Sequence, residues 1–213
     1  MSSKEKVASR YDVWSPFYDA VDNFPLISRP QKCWRSRSID MLNLQGGELV
    51  LDVGTGSGYI LPEIVDRLED GHVVGTDISK GMLRRAKKRA VRENVDHKVS
   101  IVKDDIEDSK FPADHFDRII TTFTFTTVPD PTKAIKECKR ILKEDGYMVI
   151  LDTGRPKGNF SRYFFYPMML SAKIFGRTHM DRDIYRRIQD HFQVMRKEYY
   201  MYGMVYLYGC EKK

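Results

Sequence analysis

The chain has 213 residues, 41% of them hydrophobic and 31% charged, a length and composition that fit one well-buried α/β core better than two domains. Its net charge of +6 is concentrated, because eight basic residues face two acids between Arg155 and Arg187, a surplus equal to that of the whole chain; an electrostatic partner is therefore expected to meet that stretch. Cys33, Cys138 and Cys210 offer neither an even disulfide framework nor CxxC spacing, which argues for a reducing, cytoplasmic setting and against a structural metal.

At the N-terminus no apolar run follows the early lysines, so no secretory leader is expected and the mature chain is read as starting at Met1. Residues 1–44 hold the aromatic, turn-rich run RYDVWSPFYDAVDNF, followed by Trp34, Ser38, Met41 and Leu42 at helical spacing. They are predicted to form a helical cap over the carboxyl edge of a sheet. The first strand, 48–53, runs into a glycine turn and a helix whose apolar face includes Ile60, Ile64, Val65 and Leu68. Further short apolar runs at 72–78, 98–103, 116–123 and 147–152 alternate with helical patterns, Met82, Leu83, Ala86, Ala90 and Val91 in one and Ala134, Ile135, Cys138, Ile141 and Leu142 in another. Such alternation predicts a parallel sheet covered on both faces. Asp130 and Pro131 suit the start of the second of these helices, and Gly146 its stop. Residues 45–152 form this core.

After it comes an aromatic, basic stretch, 153–192, with Ile184, Ile188 and Phe192 on one helical face; the runs VMRKEYYMY and MVYLYGC around Gly203 predict a closing hairpin over 193–213. The longest apolar run, Tyr163 to Ile174, contains Pro167 and Lys173 and falls short of the ~20 residues that span a bilayer as a helix.

Four places along this pattern carry chemistry. In LDVGTGSG, Gly54, Gly56 and Gly58 let the backbone approach a ligand closely at a strand-to-helix turn. The third glycine comes one residue too early for the dinucleotide pattern G-x-G-x-x-G, where Tyr59 stands instead. Asp52, before the turn, would repel a pyrophosphate but favour an amino group. Thr55 belongs to the same turn. Asp77, about 20 residues beyond the glycines, ends the second strand with Ile78 beside it and is placed to accept from both ribose hydroxyls; the alternative is a cap for the following helix, which Ser79 can supply. In VKDDIED at the third strand's end, Asp105 could accept an adenine amine while Ile106 packs beside the ring, and a solvated acidic turn is the other option. The fourth strand's exit, TTFTFTTVPDP, places Thr122 and Phe123 where open sheets bind ligands.

In order and spacing, LDVGTGSG, GTDIS, VKDDIED and FDRIITTFTFTTVPDPTKAIKECKRILKEDGYMVILD resemble the motifs of class I S-adenosylmethionine (SAM) dependent methyltransferases over residues 48–152. The resemblance implies a Rossmann-like, doubly wound, mostly parallel seven-stranded sheet with a C-terminal antiparallel hairpin, a helical N-terminal cap and a lid inserted after strand five. It also implies SAM as cofactor. The opening YDVWSPFYDAV and the insertion GRPKGNFSRYFFYPMMLSAKIFGR further resemble the ubiquinone/menaquinone C-methyltransferases and phosphatidylethanolamine N-methyltransferases. From that group Tyr11 and Tyr18 are expected near cofactor and acceptor.

A sulfonium methyl needs chiefly alignment and water exclusion; where the acceptor needs a base, His179, Asp152 or a tyrosine could serve. The expected acceptor is a small molecule or a lipid- or quinone-like hydrophobe. The segment 155–187 could line its pocket, touch a membrane peripherally, or bury itself against a second subunit. Methylation of RNA or protein, and a non-catalytic SAM-binding role, are the alternatives; RNA is disfavoured because no separate RNA-binding module accompanies the core.

Overall fold

Runs of β-branched and aliphatic residues set seven strands: β1 (Leu49–Val53), β2 (His72–Asp77), β3 (Val99–Lys103), β4 (Phe116–Thr122), β5 (Leu142–Thr153), β6 (Phe192–Tyr200) and β7 (Val205–Lys212). In this computed structural model, which describes Ser9, Asp12, residues 25–156, Gly158, Tyr163, Tyr166, residues 179–180 and residues 182–213, they join in one sheet of order β3-β2-β1-β4-β5-β7-β6. The first five pair in parallel, and β7 runs antiparallel to both β5 and β6. The predicted doubly wound sheet with a closing hairpin is therefore present. The chain order reverses between β1 and β4, the place where open α/β sheets leave a crevice at their carboxyl ends.

Side-chain alternation splits the core in two. Leu51, Ile119, Met148 and Ile150 face one side with the helices α4 (Pro131–Ile141) and α5 (Ile184–Gln189). Val50, Ile120, Val149 and Leu207 face the other, with α1 (Pro25–Met41), α2 (Leu61–Val65) and α3 (Lys80–Arg92). The helix starts follow from their caps: Ser79 Oγ accepts from the Met82 N–H at 3.1 Å, and Asp130 accepts from the Thr132 and Lys133 N–H groups, satisfying donors that a helix terminus otherwise leaves open. The cap helix α1 runs along its face from Trp34, whose ring centre lies 5.7 Å from that of Tyr200 in a tilted pair, down to Leu42 just beyond its end, whose carbonyl accepts from Arg118. It thus covers a sheet face as well as reaching the carboxyl edge.

Two local expectations differ from the structure. Helix α4 ends at Ile141 and Leu142 is already extended, so Gly146 is no helix stop. It lies within β5, where pairing shifts from Phe116–Leu142 to Arg118–Tyr147, and a Cβ there would come within 2.6 Å of the Leu142 side chain; a close fold-back, not a helix end, demands the glycine. Phe192 opens β6 instead of continuing α5, and is fully buried all the same. Among the described residues no helix is long and apolar enough to cross a membrane.

Candidate functional site

The turn after β1 is held by backbone bonds on both sides: the Thr55 N–H donates to Thr76 O at 2.8 Å and the Gly58 N–H to Thr55 O at 2.9 Å. All three glycines have positive φ, but they answer different needs. At Gly54 a Cβ would lie 2.5 Å from Thr124 Oγ1, so the turn is pressed against the exit of β4. At Gly56 a Cβ would meet only the Gly54 carbonyl, at 3.9 Å. Packing does not require that glycine; its positive φ does, and the space beside it is open.

That space is a cleft of about 1040 Å³, open mouth included, at the carboxyl ends of the strands. Of the residues singled out by sequence, Gly54, Thr55, Gly56, Asp77, Ile78, Asp105, Ile106, Thr122 and Phe123 all line it. Asp77 Oδ2 accepts from the Gly56 N–H at 3.1 Å and Oδ1 from the Ser79 N–H at 2.8 Å, so one carboxylate ties the glycine turn to the end of β2. Burial raises its pKa to about 6, against the pull of those backbone donors. Asp105 Oδ1 accepts from the Glu107 N–H at 3.0 Å, which fixes its orientation at the β3 exit. Phe123 sits at φ 58°, an uncommon left-handed conformation for a bulky residue, with its N–H donating to Leu151 O.

Asp52 and Gly58 lie behind the cleft wall. Asp52 is 1% exposed, and neither of its carboxylate oxygens nor the Thr55 hydroxyl has a hydrogen-bond partner in bonding geometry. Burial pushes its pKa to about 7; the neighbouring Thr55 hydroxyl and the Arg35 charge pull down, and Asp77 pushes further up. A buried carboxylate without hydrogen-bond partners is costly, and a cation nearby would offset that cost.

His179 is half-buried and does not line the cleft. Its N–H donates to Thr126 O at 2.9 Å, and Arg182 donates to the Val128 and Pro129 carbonyls, so the chain returning from the insert docks on the β4 exit, part of which is cleft wall. Asp152 is fully buried and accepts from the Thr126 hydroxyl and N–H and the Thr153 N–H, anchoring that same exit loop; burial raises its pKa to about 6. Tyr11, Tyr18 and most of 157–181 lie outside the described residues. Asp12, between the two tyrosines in sequence, accepts from the Ser79 hydroxyl and the Gly81 N–H at 2.6 Å each, so this residue sits at the β2 side of the cleft.

The matching family model is the methyltransferase domain, over residues 51–150. Demethylmenaquinone methyltransferase of Listeria welshimeri is 28% identical over 186 residues, 84% of this chain and 78% of its own. The chain is a class I SAM-dependent methyltransferase. Two solved structures share the fold: the [4+2]-cyclase SpnF, with TM-score 0.81, 15% identity and 99% and 97% of the two chains covered, and geranyl diphosphate methyltransferase in complex with SAM, with TM-score 0.72, 14% identity and 88% and 87% covered. The cofactor of this methyltransferase is SAM, and the cleft suits it: no phosphate has to be accommodated, and acids dominate the wall that a cationic ligand would meet.

Sequence reasoning missed several lining residues of the methyltransferase cleft. Arg35 comes from α1, and Met82, Thr127, Val128 and Pro129 from other elements. Tyr59 was visible as the departure from the dinucleotide pattern, but nothing in the spacing pairs it with Arg35, whose guanidinium carbon lies 4.6 Å from its ring centre.

Proposed function

We propose that this methyltransferase transfers the methyl group of SAM to a small, quinone-like hydrophobic acceptor. When bound, SAM supplies an electrophilic methyl group on a sulfonium. In this assignment Asp77 accepts from the ribose hydroxyls, Asp105 and Ile106 flank the adenine, and Gly54, Thr55 and Gly56 admit the methionine end to the backbone. Asp52 supplies the negative potential that favours the α-ammonium, directly or through water. Thr122 and Phe123 border the methyl-transfer end, with Tyr11, Tyr18 and His179 as the groups to position the acceptor or take its proton. The observation that carries the reading is the open space at Gly56, with Asp77 binding the turn from the other side. The name of the Listeria relative supports a quinone ring as acceptor.

A quinone-like acceptor resides in membranes. The surplus of basic and aromatic residues in 155–187, with Tyr163 and Tyr166 exposed within it, supports peripheral contact of that segment with an anionic surface. The test is transfer of radiolabelled methyl from SAM to a short-chain demethylated quinol, with phosphatidylethanolamine, bulk RNA and a protein extract as parallel acceptors. Labelled quinone is expected. Label in RNA or protein with none in the quinol would overturn the acceptor assignment, and SAM binding without transfer to any class would leave a non-catalytic SAM-binding role.

A further inference from the structure

Summed along the chain, the surplus of positive charge lies in 155–187, but in the fold a second concentration stands elsewhere. Helix α3 (Lys80–Arg92) holds seven basic residues and no acid in 13 positions, one cation more than the net charge of the whole chain. Its apolar side, with Met82, Leu83, Ala86 and Ala90 buried, packs on β2 and β3. At 3.6 residues per turn the opposite side carries Lys80, Arg84, Lys87, Lys88 and Val91, all exposed and Val91 to 61%, in a row about 16 Å long. Among the described residues no ion pair or side-chain hydrogen bond holds Lys80, Arg84, Lys87 or Lys88; Arg92, beyond them, pairs with the adjacent Glu93 at 2.8 Å. Lys80 with Arg84 and Arg84 with Lys88 stand at the i,i+4 spacing where like charges destabilise a helix, and a cation in the first turn opposes the helix dipole. The fold thus keeps a cationic row that costs helix stability and that an anionic partner would relieve.

Three properties of this face select an anionic bilayer over other polyanions. Four lysines and arginines in one row match the density at which basic clusters bind anionic lipid. The row has no aromatic side chain, so it lacks the stacking platform of a single-stranded nucleic-acid site. Its helix also begins at the cleft: Ile78 and Met82, on either side of Lys80 in sequence, both line it, so whatever covers α3 borders the cleft. Resting on the reading of a membrane-resident acceptor, we propose that the outward face of α3 is a docking surface for an anionic bilayer and holds the rim of the cleft at the headgroups. Because the apolar side of α3 is committed to the core, the contact is electrostatic, without the insertion of an amphipathic membrane helix.

The test is sedimentation at low salt with vesicles of phosphatidylcholine alone and of phosphatidylcholine mixed equally with phosphatidylglycerol. Each cation near an anionic surface corresponds to about fivefold in binding, so Arg84→Gln, Lys87→Gln and Lys88→Gln together are expected to weaken attachment to the mixed vesicles about 100-fold. Removing equal charge from the other face of the sheet, by Lys133→Gln, Lys136→Gln and Lys139→Gln on α4, should change it less than about fivefold. In the α3 variant, S-adenosylhomocysteine affinity and methyl transfer to a soluble short-chain quinol should stay within about twofold, which shows that fold and cleft survive, since glutamine is as good a helix former as lysine. Transfer to a long-chain quinol embedded in the mixed vesicles should fall. Equal weakening by the two triple variants would overturn the proposal, because net charge and not the α3 row would then govern attachment. So would attachment indifferent to the α3 substitutions, whether or not they lower retention of duplex RNA, and so would equal binding of the unaltered protein to phosphatidylcholine alone. Failure of the acceptor reading is a separate result, the absence of transfer by the unaltered protein even to the soluble quinol.

Discussion

Replacing Asp52 with Asn is expected to stabilise the cofactor-free protein while weakening its hold on SAM. The folded state keeps the Asp52 carboxyl protonated up to about pH 7, against an ordinary value of 3.8. Between those values the unfolded chain has released a proton that the folded chain retains, so stability contributed at this site falls as pH rises and is flat outside the window. With about 1.4 kcal/mol per pKa unit, the fall totals about 4 kcal/mol by pH 8. Asn cannot ionise, so it escapes this penalty, but its amide inherits a site without hydrogen-bond partners, at a cost of about 1–3 kcal/mol. The net gain near pH 8 is about 1–3 kcal/mol, or roughly 2–10 °C in melting temperature for a chain of this size. Near pH 5 most of the advantage disappears, because the penalty accrued there, about 1.7 kcal/mol, is no larger than the cost of the unpartnered amide. Thermal melts of both proteins at the two pH values, with and without S-adenosylhomocysteine, measure it. The ligand-induced shift should be smaller for the variant. Identical melting at pH 8, or an advantage independent of pH, would show that the carboxylate is not held at the expense of stability.

Asp77→Ala should weaken SAM and S-adenosylhomocysteine by about 10- to 100-fold, as expected for losing a charge-assisted acceptor, with Asp77→Asn intermediate; calorimetry showing unchanged affinity for the alanine variant would rule out the ribose assignment. Gly56→Val should abolish cofactor binding with the sheet intact by circular dichroism, whereas Gly54→Ala should lower stability by about 1–3 kcal/mol because its Cβ meets Thr124 at positive φ; retained SAM binding by Gly56→Val would mean that the turn is only structural. Sedimentation with anionic liposomes should weaken but not vanish as salt rises, Arg162→Gln with Lys173→Gln lowering the salt-dependent part and Phe164→Ser with Phe165→Ser removing the remainder. Absence of binding at low salt would exclude membrane contact by 155–187.

The sequence by itself determined the layered α/β fold, the strand-to-helix turn and the acids at the ends of β2 and β3. These are short-range properties: alternation and helical spacing follow from backbone geometry, and the Gly54–Gly58 turn is announced by its own glycines, although Thr76, Asp77 and Thr124 hold it in place. The helix caps at Ser79 and Asp130 were legible for the same reason. Gly146 was misread because its constraint is not local to a helix end. It comes from the fold-back of β5 onto Leu142 and the register shift against β4. Tertiary structure alone decided the electrical character of the site. Whether Asp52 ends near pKa 3.8 or near 7 depends on how much water and how many donors the folded chain leaves around it, and no pattern in LDVGTGSG encodes that. Arg35 is the extreme case: helical periodicity can say that it lies near a buried face, but not which of two faces receives α1. Only the packing of that helix beside the turn after β1 and the exit of β4 brings its charge onto Tyr59 and Phe123, because long-range contacts are fixed by the shape of the whole core and not by spacing along the chain.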